Sequence, residues 1–457
     1  MMNKSDSLFD FMGTKGLTTM EIFYNQKQDR VFLRGMREWD DNVRFERYSI
    51  DFSMEDILTK NYFAIGTETM VSELTKSGLK DYLEYVEQLI RERRDHGIEF
   101  YYHRKKNIRA MYCKHVNTLG IKNGRQAIRA GAMRRHELSE PEIDVIIDGL
   151  NIAQAMAYKN AIARIPYGGS KILVQCDPVG LDDFESMGFL AYVTDRSRSF
   201  TGPDMNFEPE MADIIRYKFT KNYTDGRKSP MKTSGVPTAY GAYLAIKEAC
   251  NFIYGDRDLS HRRVAVQGLG EVGYPLAEYL LGDGAKLLVT VRANLSKVES
   301  LQQRWSEGLV EYVKPEEIYT VDADVFSPCA MGGVITKDRI GTFKFKIIVG
   351  AANNQLKATS KEEEIELARE LAGRGILFVI DWAHNPGGVL CAWMEWVYQE
   401  EASFEKLKPR IERICRDDFR RLLEEAQETG KTPTELVYEK VEDLVFSGAD
   451  FHESLNP

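Results

Sequence analysis

The stretch Val264-Ala265-Val266-Gln267-Gly268-Leu269-Gly270-Glu271-Val272-Gly273 constrains the fold more than any other part of the chain. A short apolar strand runs straight into glycines spaced G-x-G-x-x-G, and an amphipathic helix follows from about Tyr274. Gly268 permits the tight turn, Gly270 lets the backbone approach a pyrophosphate, and Gly273 lets helix and strand pack closely. The helix N-terminus then offers amides and the positive end of its dipole to phosphates. Further short apolar runs follow: KLLVTV at 286–291, DVFSP at 324–328, FKIIVGAA at 345–352 and ILFVIDW at 376–382, separated by helix-forming sequence. This alternation predicts an α/β fold with a doubly wound, Rossmann-type parallel sheet that binds a dinucleotide.

An NAD site ordinarily ends its second strand in a carboxylate that accepts from the adenosine ribose 2′-hydroxyl. Here the strand ends in Val291 and is followed by Arg292. Nothing there repels a 2′-phosphate, and Arg292 either pairs with one or points to solvent. The cofactor is read as NAD or NADP, with NADP permitted.

The 457 residues, 43% hydrophobic and 11% aromatic, suffice for two or three domains. A net charge of −9 argues against a general nucleic-acid binder, which needs concentrated positive charge. Arg104-Lys105-Lys106 and Met133-Arg134-Arg135 are basic, but both have acidic neighbours, and the first reads as a solvated face. No apolar run approaches the ~20 residues that cross a bilayer, and the amino terminus lacks a signal-peptide core, so a cytoplasmic protein without a membrane partner is expected. The six cysteines are scattered without metal-ligand spacing, and no metal is expected.

Helical periodicity predicts an amphipathic helix over 75–94, β-structure over 98–116, and a helix over 140–156 opened by a Ser139-x-x-Glu142 capping box. Gly235 and Pro237 interrupt before a helix over 239–250. The expected organisation is a substrate-binding and oligomerisation domain over 1–236, a Rossmann-type domain over 237–388, and C-terminal helices over 389–457 that return to the first domain.

Residues 156–178, MAYKNAIARIPYGGSKILVQCDP, put Lys159 near a helix end and Lys171 just after Gly168-Gly169-Ser170. By spacing alone, surface salt bridging is the simpler reading. The chemical one has one lysine pairing with a substrate carboxylate while the other, its pKa lowered by burial and a like charge, polarises a carbonyl and activates water. Proton transfer needs a carboxylate, and Asp204 in Thr201-Gly202-Pro203-Asp204-Met205 is the candidate, although Asp after Pro is also a common turn former.

KNA, PYGGSK, GPDMN, PTAYGAYLAIKEA, GLGEVG, SPCAMGG, GAANNQL and DWAHNPGGV occur in the order and approximate spacing of the glutamate/leucine/phenylalanine/valine dehydrogenase family. The chain most resembles the leucine dehydrogenase branch, over residues 98–450, and TTMEIF at 18–23 resembles that branch's beginning. Residues 29–97 between them resemble an insertion. The resemblance implies that Lys159 binds the substrate α-carboxylate, Lys171 activates the attacking water, and Asp204 shuttles protons. It implies further that Thr238 lies near the nicotinamide amide, that Asn385 helps fix the carboxylate, and that Asn354 lies on the cofactor side. The implied reaction is reversible oxidative deamination of an L-amino acid to a 2-oxo acid and ammonia, in a homo-oligomer.

The side-chain pocket departs from a single pattern. The glutamate branch grips a side-chain carboxylate with a lysine before a Gly-Gly pair and a serine after the asparagine; here Arg129 and Ala392 stand at those places. Ala392 argues against glutamate, whereas Arg129, if it enters the pocket, argues for an acidic or polar substrate. Ser170 also replaces the usual third glycine. Two other readings stand beside a leucine-type dehydrogenase: a specialised biosynthetic relative acting on an aromatic or unusual amino acid, and a non-catalytic dinucleotide-binding sensor or assembly protein. The presence of Lys159, Lys171 and Asp204 together weighs against the last, and a Lys171 distant from Asp204, with the cleft filled by the inserted segment, would favour it.

Overall fold

The computed structural model describes residues 6–49, 51–52, 56–116, 129–165, 167–224, 226–358 and 360–446. Its contacts divide the chain into two compact units, residues 1–229 with 444–457, and residues 230–443.

The first unit is built on one mixed sheet of β1 (Thr19–Asn25), β2 (Arg30–Arg37), β3 (Phe63–Ile65), β4 (Gly97–His103), β5 (Ile108–Lys114), β6 (Arg129–Ala130), β7 (Met133–His136), β8 (Gly168–Gln175) and β9 (Ser199–Phe200). The order is β3-β2-β1-β4-β5-β8-β6-β9, with β7 also paired to β8. The β-prone stretch 98–116 forms the β4/β5 hairpin, turned at Asn107 with φ 48°. Alternate residues of these strands enter two cores. Phe100, Met111 and Leu173 pack on one face with α1 (Leu8–Lys15), α2 (Thr67–Lys76), α3 (Lys80–Glu92) and α4 (Glu142–Ile162). Tyr101, Tyr112 and Ile172 pack on the other with α5 (Phe184–Arg196) and α6 (Pro209–Ile214).

Two local expectations are corrected. The helix foreseen over 75–94 is broken at Gly78, whose φ of +78° suits glycine, so α3 starts at Lys80 while keeping the foreseen buried face of Tyr82, Leu83, Val86, Leu89 and Ile90. Glu142 forms no capping box for α4, whose N-terminus has no side-chain cap. Its buried carboxylate instead accepts from Ser7 Oγ (2.6 Å), the amides of Leu8 (2.8 Å) and Phe9 (3.3 Å), and Tyr82 Oη (2.9 Å), and so anchors α1.

The second unit holds a six-stranded parallel sheet of β10 (Arg263–Gln267), β11 (Lys286–Thr290), β12 (Val310–Tyr312), β13 (Val325–Pro328), β14 (Ile347–Ile348) and β15 (Leu377–Phe378), in the order β12-β11-β10-β13-β14-β15. Chain direction across the sheet reverses between β10 and β13, the switch point at which such sheets bind ligands. The helices are α7 (Gly235–Tyr254), α8 (Gly273–Gly282), α9 (Ser296–Arg304), α10 (Lys337–Ile340), α11 (Lys361–Gly373), α12 (Gly387–Tyr398), α13 (Phe404–Glu412), α14 (Phe419–Thr429) and α15 (Pro433–Phe446). Helix α7 starts at Gly235, before the foreseen residue 239, because Pro237 lies in its first turn, where no amide is required.

The C-terminal helices do not return to the first unit from residue 389. α12, α13 and α14 pack on α7 within the second unit. Small residues on α7 permit this: a Cβ at Gly241 would come 2.9 Å from Cys415 Sγ, and Tyr240 Oη donates to Glu412 at 2.8 Å. Only from Leu444 does the chain group with the first unit, where the Phe446 ring meets the rings of His115 (5.8 Å) and the guanidinium of Arg94 (3.5 Å).

Candidate active site

In the first unit the site is shaped by how closely α4 lies on β8. A Cβ at Gly169 would fall 2.1 Å from Ala153 O and 2.2 Å from Ala157 N, so only glycine fits beneath the helix. Half-buried Lys159 then comes from the last turn of α4, and Lys171 from β8. Ser170 faces the other way, its Oγ 3.3 Å from Ser199 Oγ, which explains why this departure from glycine is tolerated.

Lys171 is 2% exposed and ion-paired with Asp204 Oδ2. Burial pushes the ammonium pKa below its usual range even though Asp204 opposes this. Burial alone would raise the Asp204 carboxyl, but Lys171 and then Arg134 outweigh it and hold it below the usual carboxylate range. Both pKa values are thus drawn down, that of Lys171 by burial and that of Asp204 by the cations beside it. Asp204 is held by its backbone too, its N–H donating to Met133 O at 3.0 Å.

Arg134, read in sequence only as part of a basic cluster, donates from Nε to Asp204 Oδ2 (3.0 Å) and from Nη1 to Asp148 Oδ2 (2.9 Å). Arg129 is buried in β6, where its Nε donates to Val116 O (3.2 Å) and its stem packs on Gly168.

In the second unit the glycines take the foreseen forms. Gly268 has φ +93°, and a Cβ at Gly273 would fall 1.9 Å from Gly268 O. At Gly270 a Cβ would meet nothing within 4 Å, which leaves the loop open to a pyrophosphate, and α8 has no side-chain cap on its N-terminal amides. Lys297 Nζ donates to Leu269 O at 2.9 Å, adding a cation beside the loop that the sequence did not signal. Val291 is buried at the end of β11 and Arg292 is exposed. Thr238 donates from Oγ1 to Ser234 O (2.7 Å), and Gly387 approaches it so closely that a Cβ would stand 2.3 Å from Thr238 Oγ1. Two residues before Gly387, Asn385 Nδ2 donates to Ala351 O and Asn353 Oδ1, each at 3.2 Å, while its buried Oδ1 has no partner among the described residues. Asn354 is exposed in a left-handed turn (φ 52°), and Ala392 is half-buried on α12.

A Rossmann-type sheet with an open glycine loop, together with a unit that buries a lysine–aspartate pair, defines a dinucleotide-dependent oxidoreductase. Residues 285–442 match the family model described as Glutamate/Leucine/Phenylalanine/Valine dehydrogenase, and residues 104–219 match Glu/Leu/Phe/Val dehydrogenase, dimerisation domain. Leucine dehydrogenase of Thermoactinomyces intermedius is 33% identical, over 68% of this chain and 82% of its own. Phenylalanine dehydrogenase of Lysinibacillus sphaericus is 37% identical, over 54% of this chain and 64% of its own. The crystal structure of L-tryptophan dehydrogenase from Nostoc punctiforme is 28% identical with a TM-score of 0.64, covering 79% of this chain and 98% of that one. The chain belongs to the Glu/Leu/Phe/Val dehydrogenase family, on its leucine dehydrogenase branch, and is an NAD(P)-dependent amino acid dehydrogenase. Among the described residues no helix is long and apolar enough to cross a membrane.

Proposed function

We propose that the protein catalyses reversible oxidative deamination of an L-amino acid with an apolar side chain, giving the 2-oxo acid and ammonia. The observation that carries this is the buried contact between Lys171 and Asp204. It also weighs against the sensor reading, which a separation of those groups would have favoured.

Lys159 neutralises the substrate α-carboxylate. Lys171, its ammonium destabilised by burial, gives up a proton readily, activates the water that adds to the imine carbon, and stabilises the oxygen of the resulting carbinolamine. Asp204 carries protons to and from the departing amine. Gly268, Gly270 and Gly273 with the N-terminus of α8 would hold the pyrophosphate, and Thr238 and Asn354 the nicotinamide side. A bound nicotinamide supplies hydride acceptance from the α-carbon. Asn385 Nδ2 is already engaged, so its grip on a carboxylate requires the amide to turn.

Ala392 offers no polar group to a substrate side chain, and the Nε of Arg129 is engaged with Val116 O; each favours an aliphatic or aromatic substrate over glutamate. The match of residues 104–219 to a dimerisation domain supports a homo-oligomer. Val291 and Arg292 suit NADP as well as NAD.

Reductive amination of branched, aromatic and acidic 2-oxo acids with ammonia and NADH or NADPH, followed by absorbance, tests the reading. Turnover of apolar oxo acids is expected, and turnover of 2-oxoglutarate alone would overturn the pocket assignment. Lys171→Ala is expected to abolish turnover with nucleotide binding retained; lost nucleotide binding would refute its role.

A further inference from the structure

We propose that Arg134 is the positioning residue of the acid–base pair: aimed by Asp148, it clamps the Asp204 carboxylate beside Lys171 in the orientation that proton exchange needs. This rests on the amino acid dehydrogenase reading above.

Lys171 Nζ and Arg134 Nε both donate to Oδ2 of Asp204. The Asp204 carboxylate also accepts from the Met205 N–H. A carboxylate held by two cations at one oxygen and by a backbone amide keeps its orientation, which lets it take a proton from a substrate amine and return it. Without Arg134 the carboxylate would keep only Lys171 and the Met205 amide and would be freer to turn about χ2.

Arg134 is itself fixed. Its planar fork donates from Nε to Asp204 and from Nη1 to Asp148, so one rigid group spans two carboxylates, which an ammonium on a flexible stem does not do. Asp148 comes from α4 and Arg134 from β7. His136, on the same face of β7 two residues on, has Nε2 3.3 Å from Asp148 Oδ2 and Nδ1 2.9 Å from Glu140 Oε2. Alternating charges thus run from Glu140, with 43% of its side chain exposed, to Lys171, with 3%. Strand β7 also fixes the backbone under the carboxylate: Met133 N donates to Gly202 O (2.8 Å) and Asp204 N to Met133 O (3.0 Å). Arg134 is a positioning residue acting through Asp204.

Its charge has a second consequence that a packing role lacks. Arg134 lowers the pKa of both Lys171 and Asp204, whereas Asp148 raises that of Lys171. The pH dependence of kcat/KM for amino acid oxidation therefore separates positioning from mere structure, because its ascending limb follows the deprotonation of Lys171.

The experiment compares wild type, R134Q, R134K and D148N in both reaction directions across pH, with dinucleotide binding measured in parallel. R134Q is expected to lower kcat roughly 10–100-fold with nucleotide affinity unchanged, and to move the ascending limb about one unit to higher pH. R134K is expected to keep the limb near wild type and still lose kcat, since it restores charge without the fork. D148N is expected to move the limb to lower pH, and it carries the test if R134Q fails to fold. R134Q with kcat within about threefold of wild type, or limbs unmoved in R134Q and D148N, would overturn the proposal. Absence of wild-type turnover with every oxo acid and either nucleotide would instead overturn the reading of the site on which it rests.

Discussion

Gly169→Ala probes the closeness of α4 and β8 directly. The new Cβ would stand 2.1 Å from Ala153 O and 2.2 Å from Ala157 N, where ordinary contact begins at 3.4 Å. Both atoms are backbone within a 21-residue helix, so neither swings aside as the end of a side chain would. Relief requires helix and strand to part by roughly 1 Å. Overpacking of this kind costs about 1–3 kcal/mol of stability. The displacement falls on both lysines, since Lys159 follows Ala157 by two residues and Lys171 follows Gly169 by two. Misplacing reacting groups by ~1 Å costs on the order of 100-fold in rate. Steady-state reductive amination with the preferred 2-oxo acid would show this in kcat. Nucleotide binding should stay within about twofold, because the loop 268–273 belongs to the other unit. Ser170→Gly is the control: its side chain faces Ser199, so the variant should lose about 1 kcal/mol of stability and little rate. A Gly169→Ala enzyme with kcat within about threefold of wild type would refute the argument that this packing sets the lysine geometry.

Val291→Asp would put a carboxylate at the end of β11, and NADPH should lose about tenfold or more in kcat/KM while NADH holds; an unchanged NADPH to NADH ratio would remove Val291 from the ribose site. Glu364 on α11 accepts from Tyr438 Oη, and burial, helped by Asp381, pushes its carboxyl from 4.5 up to about 7. Since the folded state holds this proton more tightly than the unfolded chain, its contribution is complete below pH 4.5 and is lost as pH rises through about 7. Thermal unfolding of wild type should accordingly weaken across that window more steeply than that of Glu364→Gln, and parallel pH profiles would refute the assignment.

The second unit was the more legible because parallel strands buried on both faces read as continuous apolar runs, and β11, β13, β14, β15 and all of β10 but Arg263 fall within the runs named from sequence. β12, Val310–Tyr312, lies at the sheet edge with Glu311 and Tyr312 exposed, so no apolar run marks it. The dinucleotide glycines were legible because each serves a backbone purpose that spacing expresses. Side chains whose partners lie far along the chain were not. Arg134 sits 14 residues from Asp148 and 70 from Asp204, so sequence shows only a basic cluster. Glu142 has the spacing of a capping box, yet its partners are Ser7, Leu8, Phe9 and Tyr82; a buried carboxylate satisfies whichever donors the fold brings to it.

Residues 29–97, which the family resemblance leaves as an insertion, are built into the same sheet that carries Lys171. β2 and β3 lengthen its edge, and α2 and α3 help to cover the core that α4 shares. Near its end lies Asp95, whose carboxylate is 2.6 Å from His115 Nδ1 with both side chains fully buried. Burying such a pair is costly unless both partners are kept, so the end of the segment is bound to the residue that follows β5. His115 in turn donates its N–H to Gly169 O at 3.1 Å. A buried hydrogen-bonded pair and one backbone hydrogen bond therefore join the added segment to the glycine that seats α4 on β8, and through that glycine the segment reaches the lysines while lying outside the groups that touch substrate.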